Sequence, residues 1–363
     1  MTEYLLSKAA IRRNIAVVRS RFGDRVMAVI KCGGYGFGIP FLAGLVREGG
    51  ISRFAVYDAD ELAELRQAGF SEETLVLSPV ESEATALRIL ALDGTATVAS
   101  REGAACLFAA AKACGLHGRA HLYINTGMGR GGYAPSDVAG MSEVFAYPPH
   151  ICCTGIYTHF AAPLDARMAR RQMASFLGAV SALRERGIDP GLVHAAGSAA
   201  AFHLPDCLLD CVRIGSALTG RVAGPADTGL VRAGYLQTEV GTVFRLRKGE
   251  TVGYLGHFTA RRELTAAVIP VGHYDGFGLA PAPDIAGGKA CLRQIRQALS
   301  GFLRRRQPFA AEIGGRRFST IGHICENNAV LDVTGAQVKP GDLCRIDISP
   351  LLVREHVRRR AVE

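Results

Sequence analysis

The stretch "AVIKCGGYGFG" (28–38) ends an apolar run on a lysine and carries it into a glycine-rich turn. A lysine amine is strongly hydrated and is rarely drawn out of water without a use. Gly33, Gly34, Gly36 and Gly38 let a backbone approach a ligand closely, and Tyr35 adds a hydroxyl among them. Further along, "NTGMGRGGY" sets Arg130 in a second glycine-rich turn, and "YTHFA" ends a strand-like run on His159. "HAAGSAA" offers His194 and Ser198, and "VRIGSALTG" follows Arg213 with Gly215 and Ser216. Backbone amides in such small-residue turns can cradle a phosphate. Singly, each fragment also reads as an ordinary turn between a strand and a helix. Together, recurring at successive strand ends, they are not easily explained as turns alone.

These residues need a scaffold that brings strand ends together. "RVMAVI", "RFAVY", "TLVLSPV", "ATVAS", "AHLYINTG", "CTGIYTHF", "LVHAAGS" and "CVRIGS" are short apolar runs, most of them separated by segments of helical periodicity. Eight such alternations predict a (β/α)8 barrel over 6–228, with a doubly wound sheet as the alternative. In a parallel barrel the functional groups sit at the carboxyl ends of the strands, where all the fragments above fall. From 229 to 363 short β-rich runs alternate with Gly, Lys-Gly and Pro-Gly turns. A mostly β domain is expected there, interrupted by a helical insertion near 284–307 and able to take in residues 1–5.

The chain has 363 residues, 48% hydrophobic and 21% charged, so it can bury a core and is not disordered throughout. Its first residues lack the apolar stretch of a secretory signal, and no apolar run is long enough to span a membrane. The ten cysteines form no CxxC pair and no zinc-site spacing, which predicts reduced thiols in the cytoplasm and no bound metal. The net charge of +9 gathers late, in "LRQIRQALSGFLRRRQ" and "VREHVRRR". Without interleaved aromatics or a binding motif these read as solvated helix faces, and neither nucleic acid nor membrane is an expected partner.

In the order and content of these motifs the sequence resembles the alanine racemase family, enzymes of fold type III that use pyridoxal 5′-phosphate. The family's V-K-A-N-A-Y-G-H-G is similar to "VIKCGGYGFG", which implies Lys31 as the Schiff-base lysine and Tyr35 as a phosphate ligand. D-T-G-M-x-R corresponds to "NTGMGR" and implies that Arg130 binds the cofactor's phenolic oxygen and the substrate carboxylate. T-H-F-A is intact, with His159 beside the ring, and N-S-A-A corresponds to "GSAA", with Ser198 on the phosphate. V-R-x-G-I resembles "VRIGS", which puts Arg213 at the pyridine nitrogen and the Gly215 and Ser216 amides on the phosphate. In the β-rich part S-Y-G corresponds to "GYLG", so Tyr254 is implied as the second base, acting across a homodimer on a small amino-acid substrate.

The resemblance also has gaps. Tyr123 stands where many members carry a carbamylated lysine that orients the arginine, and Gly197 replaces an asparagine. "GHYDG" puts His273 where a tyrosine narrows the entrance, and "CEN" (Cys325, Glu326, Asn327) replaces C-M-D in a loop that reaches the substrate. These changes predict a substrate other than alanine, with a larger or polar side chain; Arg130, Tyr254, His273 and Glu326 are the residues expected to bind it. The alternatives are another pyridoxal-phosphate reaction on the same scaffold (decarboxylation, aldol cleavage or elimination) and a non-catalytic cofactor-binding protein.

Overall fold

The structure, a computed structural model, describes residues 1–147, 149–224, 227–279, 292 and 309–363. The expected helical insertion lies outside the described residues, apart from Leu292, as does most of the first basic stretch. The described chain divides into two compact units, Lys8–Ala233 and Met1–Ser7 with Gly234–Glu363.

Strand β1 (Glu3–Ser7) belongs to the second of these, and the next eight build the first. They are β2 (Val26–Val29), β3 (Arg53–Val56), β4 (Glu73–Pro79), β5 (Thr95–Val98), β6 (Gly118–Tyr123), β7 (Ile151–Tyr157), β8 (Leu192–Gly197) and β9 (Cys211–Ile214). All eight pair in parallel and in sequence, and β9 closes on β2 through Val26 beside Val212. This is the (β/α)8 barrel that the alternation predicts. Strands β2, β5 and β9 are buried along their whole length, as parallel strands covered by helices must be. Met27, Val29, Ala55, Leu75, Tyr123, Tyr157 and Cys211 pack together in one cluster of this core.

Side chains set where the outer helices begin. Asp58, Ser82, Ser100 and Asp165 each accept a hydrogen bond from a first-turn N–H of the helix that follows. The sequence pattern offers no helix after β6, yet Val138–Val144 forms one, capped by Asp137. Its seven residues are too few to display a helical period.

The second unit holds one large sheet. After β10 (Gly234–Glu239), β11 (Thr242–Leu246) and the small ladder of β12 (Thr251–Val252) and β13 (Phe258–Thr259) come β14 (Leu264–Ile269), β15 (Ala310–Ile313), β16 (Arg316–Ile321), β17 (Ala329–Asp332), β18 (Leu343–Ile346) and β19 (Arg358–Val362). The nine-stranded order is β11-β14-β17-β16-β15-β18-β10-β1-β19. Between β15 and β16, Gly314 and Gly315 both have positive φ, which a two-residue turn of this hand requires.

The basic C-terminal stretch corrects the sequence reading. It is not a helix face: Arg358–Val362 is an edge strand paired in parallel with β1. Arg360 and Arg358 pair with Glu3 at 2.8 and 3.9 Å, and charge along a sheet edge discourages further strand pairing.

Candidate active site

The lysine turn is the least ordinary backbone of the barrel. Cys32, Gly33, Gly34 and Tyr35 have φ of 56°, 59°, 63° and 54°, four successive residues wound left-handed directly after Lys31. Glycine takes this conformation freely, whereas each L side chain costs about 1–2 kcal/mol there. The turn is closed internally by Gly36 N–H donating to the Cys32 carbonyl and Gly38 N–H to that of Gly33, at 3.0 and 2.8 Å. Its result is that Lys31 and Tyr35, four residues apart, face one cavity.

That cavity, about 390 Å³, lies at the carboxyl ends of the barrel strands. Lys31, Tyr35, Arg130, His159, Ser198, Arg213, Gly215 and Ser216 all line it, so the structure gathers every site residue expected from the barrel half of the sequence.

At one side Ser198 Oγ accepts the Gly215 N–H at 3.1 Å and the Ala217 N–H at 3.4 Å. Gly215 therefore gives its amide to the serine, and the serine proton is left to point elsewhere, toward an anion if one is present. The Tyr35 ring lies so close to Gly215 that a Cβ there would stand 2.1 Å from Tyr35 Oη. Burial first, then Cys32 and Glu61, raise the Tyr35 pKa, which keeps the phenol a donor.

At the floor Arg213 is 4% exposed, and its hydrogen-bond partners among the described residues are neutral acceptors. Its Nη1 donates to His194 Nδ1 at 2.6 Å, and its Nη2 reaches the carbonyls of Thr158 and Ala195 at 2.7 and 3.0 Å and His159 Nδ1 at 3.2 Å. The Tyr157 ring lies 4.9 Å beneath the guanidinium. Because an arginine can only donate, His194 Nδ1 must be bare and its proton must sit on Nε2. That proton goes to His121 Nδ1, 2.9 Å away, and forces the His121 proton onto Nε2, a buried atom without a partner among the described residues. All three imidazoles are held neutral: burial, then Arg213, lowers His121 and His159 to about 3 and His194 well below its ordinary value.

Arg130 sits in a loop shaped by Asn125, whose Oδ1 accepts the N–H groups of Gly127 and Gly129, both at 3.1 Å. Gln172 ties this loop to the one after β7, donating to the Thr126 carbonyl and accepting from Ala161 N–H. Tyr123 lines the same cavity, its ring 5.0 Å from that of Tyr157, and Gly197 leaves room for His159. His121 and Tyr157 are absent from the sequence reading. Each is a polar side chain within a barrel strand, with no glycine-rich turn directly beside it to mark it as part of the site.

Tyr254, His273 and Glu326 belong to the other unit. Tyr254 is 69% exposed on a short 3₁₀ turn and shares a shallow depression with Cys325, Glu326 and Asn327. His273 and Tyr274 donate their backbone N–H groups to the carbonyls of Cys325 and Glu326, at 3.0 and 2.8 Å. The two altered loops thus form one hydrogen-bonded assembly. Among the described residues no His, Cys, Asp and Glu cluster is arranged to hold a metal ion.

Comparison with known proteins agrees with this architecture. Residues 6–222 match the alanine racemase N-terminal domain and residues 233–348 the alanine racemase C-terminal domain. Alanine racemases of Desulforamulus reducens and Frankia casuarinae are each 31% identical, over 92% of this chain and 86% and 83% of their own lengths. The solved alanine racemase of a D-cycloserine-producing Streptomyces lavendulae shares the fold at a TM-score of 0.84 and 23% identity, covering 100% of this chain and 97% of that one. That of Acinetobacter baumannii gives 0.83 at 20% identity, over 100% and 99%. With both domains matched and relatives above 30% identity along nearly its whole length, the chain belongs to the alanine racemase family of pyridoxal 5′-phosphate-dependent racemases.

Proposed function

We propose that this chain racemises an amino acid other than alanine, using Lys31 and Tyr254 as bases on opposite faces of the substrate, as a cytoplasmic homodimer. One observation carries the reading: Lys31, Tyr35, Ser198 and Arg213 converge on a single cavity. The donor set suits the cofactor. Tyr35 Oη, the Ser198 hydroxyl and the Ser216 backbone line the cavity and offer hydrogen bonds to a phosphate, and the bare Cα of Gly215 is what lets the Tyr35 ring reach that position. Arg213, a buried cation among neutral acceptors, suits an electron-rich ring nitrogen. When bound, the cofactor withdraws negative charge from the substrate Cα.

The protein's own groups do the rest. Lys31 would be the covalent anchor; once the substrate amine displaces it, its freed Nζ removes or returns the Cα proton on one face. Tyr254 Oη does so on the other, acting in the barrel of the second copy. Arg130 would hold the substrate carboxylate, and His159, which lines the same cavity, would stand beside the cofactor. Arg213 keeps its protons and can only donate, so it binds the ring nitrogen without protonating it. That limits charge withdrawal and favours return of the proton over loss of carbon dioxide.

His273 and Glu326, on the joined loops, replace the residues that suit alanine and support a larger or polar side chain. The nine described cysteines are free, which suits a reducing compartment, and no described helix is long and apolar enough to cross a membrane.

The test is to incubate the purified holoenzyme with each L-amino acid in D2O and follow Cα exchange and chirality. Exchange at one or more amino acids besides alanine is expected. Exchange confined to alanine overturns the substrate reading, and release of carbon dioxide without racemisation overturns the reaction.

A further inference from the structure

We propose that Glu61 is a positioning residue, whose carboxylate clamps the left-handed turn Cys32–Tyr35 and thereby sets the aim of Lys31 and Tyr35. In the sequence it is one acid of "DADELAEL", an acidic helix start that needs no other explanation. In the structure its two oxygens face different strands. Oε1 accepts the backbone N–H of Gly33, inside the lysine turn after β2, at 3.1 Å. Oε2 accepts the N–H of Tyr57, immediately after β3, at 2.7 Å. One carboxylate thus bridges the ends of two neighbouring strands of the barrel.

The clamp is itself anchored. Asp58 Oδ1 accepts the N–H groups of Asp60 and Glu61, both at 3.0 Å, so the helix Ala59–Gln67 starts with Glu61 in its first turn. The turn has a use for such a partner. The first N–H groups of any helical turn have no acceptor within it, and Gly33 is one of these. Cys32 and Tyr35 hold a conformation that L residues avoid and that persists only where the surroundings over-determine it. An ionised carboxylate is the strongest acceptor available for that purpose. Losing it would let the turn relax toward right-handed backbone and carry Lys31 and Tyr35 away from their shared cavity.

The functional consequence rests on the reading of Lys31 and Tyr35 as cofactor ligands, whereas the clamp itself does not. The experiment therefore measures both, on Glu61→Gln, Glu61→Ala, Cys32→Gly and the double variant Glu61→Ala/Cys32→Gly. Amide hydrogen exchange of the peptide spanning 31–38 in the apoprotein reads the clamp. Equilibrium binding of pyridoxal 5′-phosphate and the borohydride-trapped fraction of Lys31 read the aim.

In Glu61→Ala, exchange at Gly33 is expected to quicken at least about tenfold and cofactor affinity to fall about tenfold. Glu61→Gln, with a single acceptor oxygen and no charge, is expected to fall between it and the wild type. Cys32→Gly removes the strain at one position without touching the clamp, so the double variant is expected to recover most of the lost affinity. A residue that merely stabilises the helix or the β3 loop would gain nothing from glycine at 32. Unchanged exchange in Glu61→Ala overturns the clamp. Quickened exchange with undiminished affinity, or lost affinity that Cys32→Gly does not relieve, overturns the positioning role.

Discussion

Arg213 Nη1 and His194 Nδ1 meet at 2.6 Å, and this contact dictates the protonation of a chain of groups that ends at His121. Neither imidazole can take a second proton without setting one N–H against another. Burial first, then the Arg213 charge, pushes the His121 pKa down from an ordinary 6.5 to about 3, in the same direction. Above pH 6.5 both folded and unfolded forms are neutral at this position, and it adds no pH dependence. Below 6.5 the unfolded chain takes up a proton that the native one refuses, so stability falls until about pH 3. At pH 5 the loss from His121 alone is about 2 kcal/mol. His121→Phe is expected to lower stability at pH 7 by about 1–3 kcal/mol, because His194 Nε2–H loses its acceptor. It is also expected to flatten the decline between pH 7 and 5 by up to one proton. Urea unfolding of the apoprotein at both pH values measures the two effects; an unchanged slope would remove His121 from the acid response.

Gly215 and Tyr35 are packed too closely for any side chain between them. In Gly215→Ala the new Cβ would stand 2.1 Å from Tyr35 Oη and 2.7 Å from two ring carbons, so the phenol must swing out of the cavity. Loss of that donor is expected to weaken pyridoxal 5′-phosphate binding at least about tenfold, or roughly 1.4 kcal/mol. Gly197→Ala supplies the comparison. Its Cβ would meet His159 Cε1 at 3.0 Å, a contact that a small ring shift relieves, so the expected loss is smaller. Titrating both apoproteins with the cofactor should rank them in that order.

What the sequence displays and what it hides differ by range. The barrel is legible because a buried parallel strand is a short apolar run, and eight of them recur with helices between. Lys31, Arg130 and Arg213 are legible because glycines crowd each turn. His121 and Glu61 are not. Their partners His194 and Gly33 lie 73 and 28 residues away, and a lone histidine in "AHLY" or a glutamate in "DADELAEL" has a sufficient local reason to be there. The arginines of "VREHVRRR" misled for the same reason. Charge suggests a solvated helix, and only β1, at the opposite end of the chain, makes Arg358–Val362 a strand.

That strand gives a third expectation. The Glu3 side chain is 15% exposed between Arg358 and Arg360, which are 70% and 46% exposed. Pairs so open to solvent contribute little, and Glu3→Ala is expected to cost at most about 1 kcal/mol. The cost should shrink further in high salt, as screening weakens what attraction there is. Salt-dependent thermal unfolding of wild type and variant measures it. A loss of several kcal/mol that salt leaves unchanged would mean that Glu3 acts through packing rather than charge.

The two-base reading makes the sharpest prediction, because it assigns the bases to different faces of the substrate. Tyr254 is 69% exposed on its own unit and lines a depression with Glu326, so Tyr254→Phe removes one hydroxyl without disturbing a core. Racemisation is expected to fall about 10²–10⁴-fold, the usual contribution of one positioned acid–base group. The enantiomer whose Cα proton faces Lys31 should still exchange that proton with D2O, because the first half of its reaction needs only the lysine. The other enantiomer should lose exchange and turnover together. Lys31→Ala should abolish both, along with the visible absorbance band that borohydride removes from the wild type. Equal slowing of exchange for the two enantiomers in Tyr254→Phe would mean that a single base, or water, serves both faces.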